Sequence, residues 1–442
     1  MIRPEISSAA RDRSQRGQVI IMIVLMLALG TGFLVYSLAG SRALAAQKNA
    51  DADAALAQVK QALIGYAASP PSNATNTERP GELPCPDMNN DGFGDGSCVA
   101  GAIGRVPWKT LGIPEPQDGN GETLWYAIAG PFRNKNMSAA PINSDTLGNL
   151  SVYLGSSATV QTSQAAAVLF APGPALGTQN RGTSTAACST TGTSIARNLC
   201  AANYLESTGG GNNAQTGGPF IQAQSSATFN DRVLAITNAD LMPLVEQRVA
   251  REMMVLLEAY YNAIGVYPWA DISDGNSNGS LGEAYNRHRL PCGTALPTDW
   301  GSGGAPSLPD WLTNGCTYPV YGWTAVIYLA VAKSRLEGAG SICTSCTATN
   351  LNVMNSGWAY LCPHGSVPFA CSLSNVPSGS ARLILITPGA SNGGASYWPI
   401  SLPLDPITGY FNDAENSNDD DDNYVIPATS NDPNRDRMFI VR

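Results

Sequence analysis

The sequence predicts an α+β protein. An N-terminal transmembrane helix extends into a head made of a helix packed on an antiparallel β-sheet, and a second helix-plus-sheet head follows. Three observations predict this. From Gly17 to Ser41 no side chain carries a charge, close to the ~20 residues that one helix needs to cross a bilayer. The rest of the chain repeats itself at an offset of about two hundred residues, and such self-similarity governs the fold. In each copy a stretch of helical periodicity precedes short β-branched and aromatic runs separated by Gly, Pro, Asn and Ser, the pattern of strands and turns.

The N-terminal element comes first. Arg3, Arg11, Arg13 and Arg16 outweigh Glu5 and Asp12 ahead of the apolar run. The positive-inside bias keeps residues 1–17 cytoplasmic and exports everything after Arg42. Gly17 and Gln18 then lead into VIIMIVLMLALGTGFLVYSLAG. An ordinary single-pass anchor needs the run but no glycine at its start. A cleaved secretory signal would use Ala43-Leu44-Ala45 as its small-residue site, but its apolar region is normally about 7–15 residues, shorter than this one.

A basic leader, Gly17 and a long apolar run together resemble the prepilin signal of type IV pilins and type II secretion pseudopilins. In that family a membrane peptidase cuts after the glycine, here between Gly17 and Gln18. The new N-terminus begins a helix that is first an inner-membrane anchor and later a filament core. The resemblance implies that residues 18–44 are this transmembrane and filament-core helix, 45–237 a first pilin-like domain and 238–442 a second. Two positions depart from the family pattern. Gln18 stands where members carry Phe or Met, and Met22 stands where they carry a glutamate. That carboxylate pairs with a neighbouring subunit's N-terminus, since a charge in hydrocarbon is stable only with a partner. A subunit without it fits a filament tip or the priming of assembly.

Five sequence matches, in the same order in both copies, support the duplication. Ile64-Gly65 matches Ile264-Gly265, and Leu83-Pro84-Cys85 matches Leu290-Pro291-Cys292. Ile113-Pro114 matches Leu308-Pro309, each ahead of an apolar run at Leu124 to Ala129 or Trp323 to Ala332. Val168 to Gly173 matches Leu383 to Gly389, and Asn230 to Ile236 matches Arg435 to Val441. Leu56, Val59, Leu63 and Tyr66 give the first helix one apolar stripe. Leu241, Val245, Val249, Met253, Leu256, Tyr260 and Ile264 do the same for the second, with Asn238 or Asp240 placed to cap it and Pro243 in its first turn.

Composition excludes several classes. Charged residues make up 13% of the chain, and it holds 45 Gly and 30 Pro, which describes a loop-rich exported protein. The net charge of −9 with no Lys/Arg cluster outside the leader leaves no footprint for nucleic acid. All ten cysteines lie beyond the apolar run, so they read as disulfides of an oxidising periplasm. Spacing pairs Cys85 with Cys98, Cys188 with Cys200 and Cys292 with Cys316, while Cys343, Cys346, Cys362 and Cys371 can pair in several ways.

Two stretches carry candidate metal ligands. Asp87, Asn89, Asp91 and Asp95 alternate around a glycine turn, as at the start of a calcium loop. Cys98 occupies the place of the bidentate glutamate, and an Asn/Asp/Gly turn inside a disulfide loop explains the pattern equally well. Asp271, Asp274, Asn276, Asn278 and Glu283 are the weaker counterpart in the second copy. Asp413 and Glu415 precede Asp419, Asp420, Asp421 and Asp422, four adjacent carboxylates that stay together only if solvated or neutralised by a cation. Only Glu206 stands in the corresponding stretch of the first copy. The resemblance to tip pseudopilins implies Ca2+ in the heads.

Catalysis finds no support: His288 and His364 are the only histidines, and there is no nucleophile elbow, HExxH, P-loop or GxGxxG. The expectation is a non-enzymatic filament subunit, a minor pilin or pseudopilin. Its expected partners are the prepilin peptidase, the inner membrane and other subunits met through the N-terminal helix, with the C-terminal part in the periplasm. The alternative is a membrane-tethered surface adhesin or binding protein with cation-dependent loops.

Overall fold

The computed structural model describes residues 9–69, 79–133, 141–155, 159–268, 270–271, 284–285, 287–289, 304, 306–307, 323, 326–332, 351–364, 370–387, 423–424, 426 and 437–442. Helix α1 (Ala9–Ala68) runs 60 residues. Its last four turns bury Ala52, Leu56, Val59, Leu63 and Ala67, following the three- and four-residue spacing of an amphipathic helix. Tyr66 of the expected stripe is only half-buried, and Ile64 takes its place in the core.

A six-stranded sheet receives that helix. Its strands are β1 (Ile103–Arg105), β2 (Trp125–Ile128), β3 (Leu150–Leu154), β4 (Thr159–Ala171), β5 (Phe220–Gln222) and β6 (Arg232–Thr237). The order is β1-β2-β4-β3-β5, and β6 lies against β4. Strand β4 is long enough to pair with both β2 and β3 along one edge and with β6 along the other.

Helix α2 (Asn238–Ile264) leaves β6 without a loop. Thr237 is its N-cap, and the Thr237 N–H donates to Asp240 Oδ2 at 2.9 Å. The cap thus sits one residue before the expected Asn238, and Asp240 serves as the reciprocal acceptor of a capping box. Pro243 lies deeper than the first turn. Gly265 ends the helix with φ +89°, a left-handed conformation that glycine adopts without a Cβ penalty.

Beyond α2, an eight-stranded sheet runs in the order Ala284–Tyr285, Ala270–Asp271, Arg287–Arg289, β7 (Tyr328–Val331), β10 (Leu383–Thr387), β11 (Arg437–Val441), β8 (Gly357–Cys362) and β9 (Ser372–Val376). Its alternation splits two cores. Leu329, Val331, Leu383, Leu385, Phe439 and Val441 join α1, α2 and the first sheet in one cluster. Tyr328, Ala330, Ile384, Ile386, Met438 and Ile440 face a second cluster with Leu351, Val353 and Ala381. The last three belong to a small sheet of Gly379–Ala381, Leu351–Val353 and Asn423–Tyr424. A strand buried on both faces needs an unbroken apolar run, which is why LILIT lacks polar alternation.

Strand registers show how the two halves correspond. In the first sheet Phe170 lies opposite Trp125 on one side and Val233 on the other. In the second, Ile386 lies opposite Tyr328 and Met438. These are equivalent positions of the expected matches at Val168 to Gly173 and at Asn230 to Ile236. The Asp87–Arg105 bridge likewise has its counterpart in the Asp271–Arg289 pair. One match must be redrawn. Arg289 is the equivalent of Arg105, so Leu290-Pro291 corresponds to Val106-Pro107, and Leu83-Pro84 corresponds to Tyr267-Pro268. Pairing register, not tripeptide identity, sets the equivalence.

The expected transmembrane helix is corrected. Among the described residues no helix is long and apolar enough to cross a membrane. The inner-membrane, single-pass placement is withdrawn with it. So is the description of the chain as a membrane helix running into one pilin-like head with a second head behind it. The described chain is rich in sheet, with several sheets sharing a core between the halves. Cys85–Cys98, Cys188–Cys200 and Cys362–Cys371 are disulfide-bonded, the chemistry of an oxidising compartment. Cys292, Cys316, Cys343 and Cys346 lie outside the described residues.

Candidate functional site

The longest consecutive run of exposed large hydrophobic side chains among the described residues is on α1. Met22, Ile23, Val24, Leu25, Met26, Leu27 and Leu29 are 52–71% exposed. Successive helical residues are about 100° apart, so these side chains point in every direction around the axis. A helix apolar on all sides is stable only when surrounded by other apolar surface. Leu44, further along α1, is also exposed, whereas Ala52, Ala55, Leu56, Val59, Leu63, Ile64 and Ala67 turn into the core. One helix therefore carries an unsatisfied apolar sleeve at one end and a satisfied packing face at the other. The backbone of Gly17 and Gln18 lies within the same helix.

The Asp87 loop is held by its own backbone. Asp87 Oδ1 accepts the N–H groups of Asn89, Asn90 and Asp91 at 3.3, 2.6 and 3.2 Å, and its Oδ2 accepts that of Gly92 at 2.7 Å. Asn89 Oδ1 takes the Asp91 N–H, Asp91 Oδ1 the Phe93 N–H, and Asp95 Oδ2 the Met88 N–H. The four expected ligands thus share one loop, and each accepts at least one backbone N–H. Among the described residues no three His, Cys, Asp or Glu side chains are grouped to hold a metal ion. Asp413, Glu415 and Asp419 to Asp422 lie outside the described residues, as do Asp274, Asn276, Asn278 and Glu283.

Three polar clusters went unread in the sequence. In the first, Asp231 and Glu206 are clamped reciprocally: the Glu206 N–H donates to Asp231 Oδ2 at 2.8 Å, and the Asp231 N–H donates to Glu206 Oε2 at 3.2 Å. Burial, and then the Glu206 charge, push the Asp231 carboxyl well above its ordinary range. In the second, Ser144 Oγ and Arg437 Nη1 both donate to the buried Glu246 carboxylate. In the third, Tyr267 OH donates to Glu258, and His364 Nδ1 lies 3.2 Å from Glu258 Oε2. Burial pushes the Tyr267 phenol far up. His364 therefore packs at the C-terminal end of α2, while the side chain of His288 is outside what is described. The one available signal was the repeated Asp-Arg of Asp231-Arg232 and Asp436-Arg437 in the sequence, since charged residues beside an apolar run need partners.

No protein-family model, no curated protein and no solved structure matches the chain.

Proposed function

We propose that the protein is a non-enzymatic structural subunit of a filament, of the minor pilin or pseudopilin kind, that assembles through the N-terminal part of α1. The observation that carries this reading is the apolar sleeve Met22–Leu29, exposed on all sides of a helix whose other end is anchored in the core. Burying each such side chain contributes about 1.5–3 kcal/mol, so a bundle of like helices is the natural occupant. Met22 stands where pilins carry an acid, and a subunit without that carboxylate fits a position at a tip or in priming. The step is packing, not bond chemistry.

Replacing Met22, Leu25 and Leu29 together with aspartate is expected to abolish assembly, read by sedimentation velocity and cross-linking. The melting temperature should be unchanged, because these side chains rest on nothing else in their own described chain. Assembly that survives the three charges sinks the proposal. Processing is tested separately: N-terminal sequencing of the mature protein is expected to begin at Gln18, and a mature chain that retains Met1 rules out cleavage after Gly17.

A further inference from the structure

The two sheets differ in how the outer backbone of their end strands is used. At one end of the order β1-β2-β4-β3-β5, Asp87 and Arg105 exchange backbone bonds. The Asp87 N–H donates to the Arg105 carbonyl at 3.0 Å, and the Arg105 N–H donates to the Asp87 carbonyl at 2.8 Å. At the other end the Asn213 side chain caps β5. The Ile221 N–H donates to Asn213 Oδ1 at 2.8 Å, and Asn213 Nδ2 donates to the Ile221 carbonyl at 3.0 Å. Backbone groups that are taken up in this way offer no template to a further strand.

The eight-stranded sheet ends on β9, which has no such cover among the described residues. Its five residues pair with β8 in unbroken register, from Ser372 opposite Leu361 to Val376 opposite Gly357. No other described strand lies beside it. Ser372, Leu373 and Asn375 are exposed, Leu373 by 43%. The hydroxyls of Ser372 and Ser374 lie 3.4 Å apart, and Ser374 Oγ donates to the Ser372 carbonyl at 3.3 Å. These side-chain bonds stay within the strand. The segment SLSNV contains no charge, no proline and no bulge, the devices that keep an exposed edge from pairing with another chain.

We propose that β9 pairs antiparallel with β9 of a second copy of this chain, about a two-fold axis at Ser374. The chemistry of the strand selects its own copy. The net charge of −9 repels a second copy at large, whereas an uncharged edge sets no charge opposite its like. In this register Ser374 faces Ser374 of the second copy, and hydroxyl pairs bond across strands. Leu373 lies opposite Asn375 of the second copy and diagonal to its Leu373, within reach of a long side chain. The contact uses the same patch on both copies and closes as a dimer. It is separate from the apolar sleeve of α1.

The test uses the full chain carrying Met22→Asp, Leu25→Asp and Leu29→Asp in every arm, so that its outcome bears on β9 and not on the sleeve. Sedimentation velocity is expected to show a concentration-dependent dimer. Adding Leu373→Lys should return it to monomer with the melting temperature retained, because Leu373 is exposed and a lysine blunts an edge. Adding Ser374→Cys should trap the dimer as a disulfide on a non-reducing gel. Directly opposed Cβ atoms lie about 4.5–5.5 Å apart, close to the ~3.5–4.5 Å of a disulfide. A chain that stays monomeric at every concentration overturns the proposal. So does a dimer that is equally strong in Leu373→Lys and escapes capture in Ser374→Cys, or an edge that captures only a strand of a different protein.

Discussion

Glu246→Ala is expected to destabilise the protein by about 3–5 kcal/mol, the cost typical of removing one partner of a buried ion pair. Glu246 is 1% exposed and lies on α2. Its two oxygens tie together distant parts of the chain: Ser144 from the loop before β3, and Arg437 at the start of the last strand. Asn238 Nδ2 adds a bond to the Ser144 carbonyl at 2.6 Å. Truncation leaves the Arg437 guanidinium, whose side chain is 12% exposed, without its carboxylate. The equivalent arginine of the first half behaves differently. Arg232 pairs with Asp53 of α1, but those side chains are 35% and 55% exposed, and exposed pairs contribute about 0–1 kcal/mol. Asp53→Ala should therefore be nearly silent in the denaturant midpoint at which Glu246→Ala fails. Combining Glu246→Leu with Arg437→Met should recover much of the loss, since apolar groups of similar volume can replace a buried pair. A Glu246→Ala midpoint no lower than that of Asp53→Ala would remove Glu246 from this role.

The comparison of these two arginines shows what the sequence makes legible. The Asp-Arg repeat, the LILITPG match and both helical stripes are local patterns, and they place β4, β6, β10 and β11 with α1 and α2. The Cys85–Cys98 and Cys188–Cys200 disulfides were readable because each closes a short loop. Leu83-Pro84-Cys85 misled because a tripeptide carries no information on register, and only the Asp87–Arg105 and Asp271–Arg289 pairs expose the offset. The apolar run from Gly17 to Ser41 was read through its length and lack of charge. Those properties describe equally a helix that awaits lipid and one that awaits other helices. In the second half of α2, Leu257 is buried where the expected stripe held Leu256, because α2 meets a sheet on each side and its apolar face is wider than one stripe. The Glu206–Asp231, Glu246–Arg437 and Arg105–Trp125–Tyr204 groups were invisible for a common reason. Their members are 20 to 191 residues apart, and no periodicity marks a polar residue that the tertiary fold will bury.

Stability is expected to fall as pH rises, and Asp231→Asn should remove that fall. Asp231 is 2% exposed, and no cationic side chain bonds to it among the described residues. Asn213 Nδ2 donates to its Oδ2 at 2.9 Å, while its Oδ1 is buried without a donor. Burial raises the folded carboxyl above the ordinary value of 3.8, and the Glu206 charge raises it further. A group whose folded pKa is raised holds its proton in the native state while the unfolded chain has released it. Its contribution is therefore fully present below pH 3.8 and is lost as pH climbs through the folded value. Within that window the loss amounts to about 1.4 kcal/mol per pH unit. Asparagine cannot ionise, and its amide can donate toward Glu206 as the protonated carboxyl does, so the variant should show a flatter profile and surpass wild type on the alkaline side. The measurement is the denaturant midpoint of both proteins from pH 5 to 9 at fixed salt. Parallel profiles would show that Asp231 is already ionised in the native state. Its orphan oxygen would then need a partner other than a proton.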